Sequence, residues 1–399
     1  MKHRNAATSG AFLVVFGGLS VLLGLAARET RIVNDQAMPF GLDSPRVVTD
    51  LTTYGIDYFR TRVHPLFPLL FNPPGLLLTR LAGDPFLAAL LLNALAAGTA
   101  VALAHGLFLR IGMPPLDAAL WTALLGTSSA HLLFGALPET YAFSAATLVL
   151  LYRIAAGEGG WKRFLPATIL SAGVTSSNLA YGVLAYAAGH SRRRLARTAL
   201  FAAAAVLGVG ALSLVQRVPY PVTWFFLSPG GYDVESTFLA RIGSAADLLR
   251  RALGLVEQML VVNFAAVRPA VLPGADVPDV TFATPAIPHA YAAGWLHLAL
   301  WGPLLAIAGK GLHGLTGTPR SLGNALLLGL LFSLAFHMAY GTDLFLYTCQ
   351  WTFPVLGLAA LGMRRAWGSW RLRGILALLL VLQGTSNALF LSDLLAVYR

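Results

Sequence analysis

Long apolar runs recur along this chain, and they constrain its fold more than any other feature. A helix needs about 20 mostly apolar residues to cross the hydrocarbon core of a bilayer, and fewer where it is enclosed by other helices. We therefore predict an all-α integral membrane protein with about eleven transmembrane helices and two large outer-face loops. The predicted spans lie near residues 10–27, 85–109, 116–135, 139–154, 164–177, 178–190, 197–216, 291–309, 321–340, 344–362 and 372–392.

Composition agrees with a lipid bilayer as the main partner. Of the 399 residues, 57% are hydrophobic and 11% are charged, whereas soluble proteins have roughly 25% charged residues. The formal net charge of +11 could indicate a nucleic-acid partner, but the basic residues are spread between apolar runs and form no single stripe. We expect no nucleic-acid partner. The lone Cys349 lies in an apolar run, and we interpret it as a packing residue.

The distribution of charge predicts the orientation of the chain. With a cytoplasmic N-terminus, nearly all of the basic excess falls in inner segments, as the positive-inside rule requires.

The first span follows Met1–Arg4 and could be cleaved as a signal peptide near Gly24–Ala26, but we expect it to be retained. Short loops and the lack of sorting signals fit a multi-pass protein of a bacterial inner membrane with a periplasmic outer face. An endoplasmic reticulum location stays open.

We divide the chain into a first helix (1–27), an outer loop with an interfacial segment (28–84), a bundle (85–216), a second outer loop (217–290) and C-terminal helices (291–399).

Segment 164–190 could be one long helix or two short ones. We prefer a hairpin, because it keeps Arg192–Arg194 on the same side as Lys162 and Arg163. Stretch 236–264 has helical periodicity with its charges on one face, which predicts an amphipathic helix on the outer surface. An ordinary structured loop is the alternative.

Acidic and basic side chains cluster in the first outer loop, before an apolar Pro-rich stretch at 65–78. This stretch is too interrupted by proline for a regular spanning helix, so we place it at the interface. A carboxylate there could act as a general base, and cationic side chains could hold a phosphate. Solvated loop residues are the simpler interpretation of each acid. The cluster contains Asp35, Asp43, Asp50, Asp57, Arg60, Arg62 and His64.

Two further outer turns carry candidate residues. Glu139 follows Pro138 and could simply begin a helix, or it could be a second carboxylate that binds a metal or orients an acceptor. A later cluster contains His337, Tyr340, Asp343 and Tyr347, for which interfacial anchoring and helix capping are the simpler roles. The chain has no Walker A loop and no GxSxG, HExxH or CxxC motif.

Three stretches resemble the membrane glycosyltransferases of the C superfamily, which include protein O-mannosyltransferases and lipid A aminoarabinose transferases. They are Asp43–Arg46 early in the first outer loop, Val63–Pro68 before the Pro-rich stretch, and Glu139 in the second outer turn. The resemblance implies transfer of a hexosyl or pentosyl group from a polyprenyl-phosphate carrier to an acceptor on the outer face. Direct displacement of the carrier phosphate would invert the anomeric carbon, and we expect inversion as a hypothesis.

The resemblance also assigns roles to individual residues. It implies that Asp43 is the catalytic base, with Asp50 as the substitute, and that His64 occupies the family's His or Lys position. Many members have Lys or Arg where this chain has Asn178, so phosphate binding would fall to Arg60 or Arg62. The predicted substrate-binding residues are Arg60, Arg62, His64, Glu139 and Asn178, with Tyr347 added from the later outer cluster. A divalent metal ion held by Asp43 and Glu139 stays open, because family members differ in needing one.

Two other functions compete with glycosyl transfer. A transporter or flippase of a lipid-linked substrate should place ionisable residues deep within its helices, but the predicted spans contain few besides His105 and His131. A scaffold without chemistry would not need the mixture of acids, arginines and histidine in the first loop. The sequence does not specify the sugar, the acceptor or the carrier length.

Overall fold

The computed structural model describes residues 2–35, 37–56, 58–157, 160–189, 194–228, 234–272 and 276–399. Most of these residues are helical, as apolar segments must be to pair their own backbone groups in lipid. The α-helices are α1 (Lys2–Arg28), α2 (Arg31–Asn34), α3 (Ser44–Thr52), α4 (Phe67–Ala82), α5 (Pro85–Arg110), α6 (Pro115–Gly126), α7 (Ser129–Ala136), α8 (Thr140–Ala155), α9 (Trp161–Val174), α10 (Asn178–Ala188), α11 (Arg194–Gln216), α12 (Ala245–Glu257), α13 (Ala292–Leu312), α14 (Gly317–Ala339), α15 (Thr348–Gly362) and α16 (Trp370–Val397).

Seven helical segments of the described chain are long and apolar enough to cross a membrane. They are Ala6–Arg28, Pro85–Arg110, Leu195–Gln216, Ala292–Leu312, Gly317–Ala339, Phe345–Gly362 and Trp370–Val397. The chain is therefore a mostly helical, multi-pass membrane protein. The all-α description needs one addition, because a short antiparallel pair, β1 (Ala270–Leu272) and β2 (Asp279–Thr281), lies between α12 and α13.

The continuous span predicted at 116–135 is instead two helices, α6 and α7. The chain leaves the helix at Thr127 and Ser128, and the Ser128 side chain accepts the His131 N–H at 3.3 Å to start α7. Buried amides of α16 bind the carbonyls exposed at the break. The side chain of Gln383 donates to the Leu124 carbonyl at 2.7 Å, and that of Asn387 donates to the Thr127 carbonyl at 2.7 Å.

The Pro-rich stretch is a helix, α4, even though Pro73 and Pro74 lie inside it. At its start, the side chain of Gln216 from α11 accepts the Leu69 N–H at 3.1 Å and donates to the Pro65 carbonyl at 2.9 Å. These contacts supply the partners that the first turn would otherwise lack. The helix also packs closely on α3, since a Cβ added at Gly75 would overlap the Leu51 carbonyl oxygen.

Segments 164–190 and 236–264 both divide into shorter elements. The first forms α9 and α10, joined by Thr175–Ser177. The second contains a 3-10 turn (Val234–Phe238), α12 and a π-helical turn (Gln258–Val262). Further 3-10 turns are Pro39–Gly41, Phe59–Arg62, Ile287–His289, Phe345–Tyr347 and Arg364–Ala366.

Buried asparagines hold several of these connections in place. Asn93 of α5 donates to the carbonyls of Phe134, Gly135 and Leu137 at 2.7, 2.9 and 3.1 Å, and accepts the Glu139 N–H at 3.3 Å. It therefore fixes the turn between α7 and α8. Asn387 of α16 likewise donates to the Phe264 carbonyl at 2.6 Å and accepts the Ala266 N–H at 2.8 Å.

Replacing Asn387 by leucine should destabilise the fold, because it leaves the Thr127 carbonyl and the Ala266 N–H without their side-chain partner, while the Phe264 carbonyl keeps the Ser129 N–H. Each unpaired buried group costs about 1–3 kcal/mol, so we expect a loss of at least about 2 kcal/mol. Thermal unfolding of the purified protein in detergent measures this loss. Asn324→Leu is the matched control, since Asn324 is exposed on α14. Equal melting temperatures for the two variants would contradict the assigned role.

Candidate functional site

A cavity of about 820 Å³, here called the main cavity, collects residues from five separate connections. Its walls come from the first loop, the turn between α7 and α8, the turn between α9 and α10, residues 235–239, and the adjoining ends of α14 and α15. This volume falls in the range of small-molecule sites. The polar lining includes Asp43, Arg46, Arg60, His64, Glu139 and Tyr347.

The two candidate bases, Asp43 and Asp50, share the guanidinium of Arg46. Asp43 immediately precedes α3, and spacings of three and four residues place all three side chains on one helix face. Arg46 Nε lies 2.5 Å from Asp43 Oδ2, and Nη1 lies 2.6 Å from Asp50 Oδ2. The Asp43 side chain is 38% exposed and lines the main cavity, whereas that of Asp50 is 9% exposed and does not. A ligand in the cavity can therefore touch Asp43, while Asp50 holds Arg46.

Glu139 begins α8, as its simpler interpretation predicted, and it also lines the main cavity. Its carboxylate caps α8 by accepting the Thr140 N–H at 2.9 Å, and the buried side chain also lines the main cavity. Burial raises the pKa of Glu139 to about 7, although the charge of Arg46 opposes this shift. The backbone N–H of Asp43 also hydrogen-bonds to this carboxylate. Glu139 thus ties the second turn to the first loop.

The electrostatics favour a charged arginine beside two carboxylates, Asp50 and Glu139, whose pKa values are raised by burial. Burial disfavours the charge of Arg46, but Asp50, Glu139 and Asp43 together raise its pKa above the usual value. Burial raises the pKa of Asp50 to about 6, again against the effect of Arg46. Arg46 therefore stays protonated at physiological pH and presents a fixed positive charge at the cavity wall.

Arg60 provides a second positive charge at the main cavity. Its Nη1 lies 2.6 Å from Glu235 Oε1, and the Tyr340 hydroxyl donates to Glu235 Oε2 at 2.5 Å. All three side chains line the cavity. Sequence reasoning did not single out Glu235, because its only signal was one acid in a long loop that contains several others. Only the fold brings it to the first loop.

The remaining substrate-binding candidates divide between the cavity and its surroundings. His64 lines the main cavity, but burial and the nearby Arg46 and Arg60 lower its pKa well below the usual range, so it is neutral. Its Nδ1 lies 2.8 Å from the Val174 carbonyl oxygen and donates to it. Tyr347 also lines the cavity, and its ring lies 4.3 Å from that of His337 between centroids.

Arg62 and Asn178 do not line the main cavity. The Arg62 guanidinium lies 3.8 Å from the centre of the Trp224 ring, a cation–π contact. The Asn178 side chain donates to Ser144 Oγ at 2.9 Å inside the bundle. The neighbouring Thr175–Ser177 reach the cavity instead.

Asp35 and Asp343, two other acids singled out in the sequence, do not line the main cavity. Asp35 is paired with Arg31 at 2.5 Å, and Asp57 is outside the described residues. Asp343 accepts the Thr281 hydroxyl at 2.6 Å and the Phe345 N–H at 2.9 Å. The capping role considered for Asp343 agrees with these contacts.

The residues present do not fit a metal centre. Asp43 and Glu139, the pair that could hold a divalent ion, both line the main cavity, but the positive charge that they face is the guanidinium of Arg46. Across the described ranges, no group of three His, Cys, Asp or Glu side chains is arranged to hold a metal ion. The site is therefore better described as an arginine–carboxylate site.

Glu139→Gln should change how stability depends on pH. The raised pKa means that the folded protein keeps this proton to a higher pH than the unfolded chain does. Wild-type stability should therefore fall as pH rises from about 4.5 to about 7. Glutamine cannot ionise, so the variant should lack this loss, which is at most about 3 kcal/mol.

Melting temperatures at about pH 5 and about pH 8 measure this effect. The variant should gain stability relative to wild type at the higher pH. Glu29→Gln is the control, because it also removes one carboxylate, from an exposed position outside the main cavity. A constant difference between Glu139→Gln and wild type at both pH values would show that Glu139 ionises as freely in the folded state as in the unfolded chain.

No family model, curated protein or solved structure matches the chain.

Proposed function

We propose that the protein is a membrane glycosyltransferase that moves a sugar from a polyprenyl-phosphate carrier to an acceptor hydroxyl. One observation carries this proposal: Asp43, a carboxylate that a ligand can touch, shares the main cavity with two guanidinium groups, those of Arg46 and Arg60. Glycosyl transfer from a phosphate donor needs both a proton acceptor and stabilisation of a phosphate leaving group. The resemblance of Asp43–Arg46 and Val63–Pro68 to the C superfamily points to the same activity.

The proposed chemistry is a single displacement. The acceptor oxygen forms a bond to the anomeric carbon while its proton passes to the Asp43 carboxylate. The bond from that carbon to the phosphate oxygen breaks, and the electron pair leaves with the polyprenyl phosphate. Arg46 and Arg60 stabilise the negative charge on this leaving group. Attack from the face opposite the leaving group inverts the anomeric centre.

The other polar residues of the main cavity have supporting roles in this proposal. Asp50 positions Arg46, because it holds the guanidinium from outside the cavity. His64, which is neutral, and Glu139 can each hydrogen-bond to sugar hydroxyls. The face of the Tyr347 ring can pack against the sugar. The wall also contains Met38, Phe238, Leu239, Phe336 and Leu346, an apolar lining suited to the start of a polyprenyl chain.

We also propose that the chain crosses the membrane about eleven times and has a cytoplasmic N-terminus. In this arrangement the main cavity lies at the outer, periplasmic face of a bacterial inner membrane. In that topology the first loop, the α7–α8 turn, the α9–α10 turn and the end of α14 all belong to the outer side. Their meeting at one cavity supports this arrangement. The α6–α7 pair then counts as one interrupted crossing, and α9 and α10 count as two short ones.

Asp43→Asn should abolish transfer of labelled sugar in proteoliposomes that contain a panel of polyprenyl-phosphate sugars. We expect a fall of at least about 100-fold, because general-base catalysis typically contributes 10²–10⁴-fold. Asp50→Asn should lower the rate by a smaller factor, since Arg46 keeps its contact with Asp43. Asp35→Asn is the matched control, because Asp35 is an exposed first-loop acid paired only with Arg31 among the contacts of the described chain.

Two outcomes would contradict the proposal. Full activity of Asp43→Asn would remove Asp43 as the base. Movement of the intact lipid-linked sugar across the bilayer, with no donor consumed by any tested acceptor, would instead establish a flippase, and the same acids and arginines would then line its path.

A further inference from the structure

A second cavity, of about 570 Å³, lies beside the main cavity and beneath α12. One face of α12 lines it through Asp247, Arg250 and Arg251, and the wall also includes Arg241 and residues 341–344. The proposed transfer reaction assigns no role to this cavity.

A short backbone bridge separates the two cavities. Leu239 and Tyr340 form an isolated antiparallel bridge. Beside it, the Ala240 N–H donates to the Ala339 carbonyl at 2.8 Å, and the Gly341 N–H donates to the Phe238 carbonyl at 2.8 Å. Leu239 lines both cavities. The second cavity is thus a distinct compartment directly next to the main one.

Helix α12 has its apolar face turned outward. Leu248, Leu249, Leu253 and Val256 form one stripe on the helix, and each is exposed, Leu249 by 61%. The opposite face carries the residues that line the second cavity. A helix packed on a protein in water buries its apolar stripe. The reversed arrangement is expected where acyl chains surround the outer face, as they do for a helix lying in the membrane interface.

Most charges around the second cavity are already satisfied within the protein. Arg251 donates to the carbonyls of His337, Met338, Tyr340 and Gly341 at distances from 2.6 to 3.2 Å. Asp343 accepts the Thr281 hydroxyl and the Phe345 N–H. The Asp247 carboxylate accepts the Ser244 hydroxyl at 2.7 Å.

Two exposed cations are left to face the second cavity. Arg241 makes no salt bridge within the part of the chain that the structure describes. Arg250 has a side chain that is 66% exposed, and its Nη1 lies 3.7 Å from Asp247 Oδ1, a distance at which a surface ion pair is weak. Both guanidinium groups can therefore turn to a phosphate, whose oxygens match their planar donors.

We infer that the second cavity binds the headgroup of an anionic phospholipid. Its phosphate lies between Arg241 and Arg250, and its acyl chains run along the outward stripe of α12. The reversed amphipathic helix selects a lipid over a soluble anion, because the apolar surface continues directly from the rim of the cavity. This inference does not depend on glycosyl transfer, and its test requires no sugar donor.

The test uses native mass spectrometry of the full chain released from nanodiscs that contain equal amounts of phosphatidylglycerol and phosphatidylcholine. Wild type should retain phosphatidylglycerol in preference. The double variant Arg241→Gln with Arg250→Gln should lose at least about 10-fold of that preference, which corresponds to about one lost charge-assisted contact. Arg241→Lys with Arg250→Lys keeps both charges and should retain most of the preference, which also shows that substitutions at these positions leave the fold intact.

Arg197→Gln with Arg320→Gln is the matched control, since both arginines are exposed elsewhere on the bundle and should not affect retention. Three results would overturn the inference. One is an equal loss of preference in this control, and another is a wild type with no preference. The third is displacement of the retained lipid by inorganic phosphate alone, which would assign the cavity to a soluble anion.

Discussion

The structure depends on the pairing of backbone groups where helices break inside an apolar bundle. Each unpaired N–H or C=O there would cost several kcal/mol, since no water is available to replace the missing partner. Buried amides supply the partners: Asn93 at the α7–α8 turn, Gln216 at the start of α4, and Asn387 at the α6–α7 break. These breaks let the chain turn within the bundle, and the turn that Asn93 holds places Glu139 at the main cavity.

Arg46 organises the main cavity in a comparable way. It contacts Asp43 and Asp50 directly and opposes the rise that burial causes in the pKa of Glu139, so one guanidinium links the first loop to the second turn. A buried cation is costly unless carboxylates surround it. The arrangement leaves only one of the two directly bonded carboxylates, Asp43, lining the cavity, and this difference in position separates a candidate base from a positioning residue.

The bridge between Leu239 and Tyr340 gives the molecule two compartments with different chemistry. On one side, the Tyr340 hydroxyl holds Glu235 and, through it, Arg60. On the other side, α12 covers a polar pocket and turns its leucines outward. Arg251 fixes the bridge by donating to the carbonyls of Tyr340 and Gly341. In the functions proposed, the main cavity takes the lipid-linked sugar and the second cavity takes a phospholipid headgroup.

The sequence by itself determined the helical membrane class, because long apolar runs have few other ways to pair their backbone groups in a bilayer. It also identified Asp43, His64 and Glu139, which all line the main cavity. It could not show that Asp50 lies behind Arg46, since both acids fit the same helical spacing. It also missed Glu235, and it could not show that the Asn178 side chain donates to Ser144 inside the bundle. Only the tertiary structure decided these positions, because they depend on contacts between residues far apart in the chain, and local periodicity carries no information about such contacts.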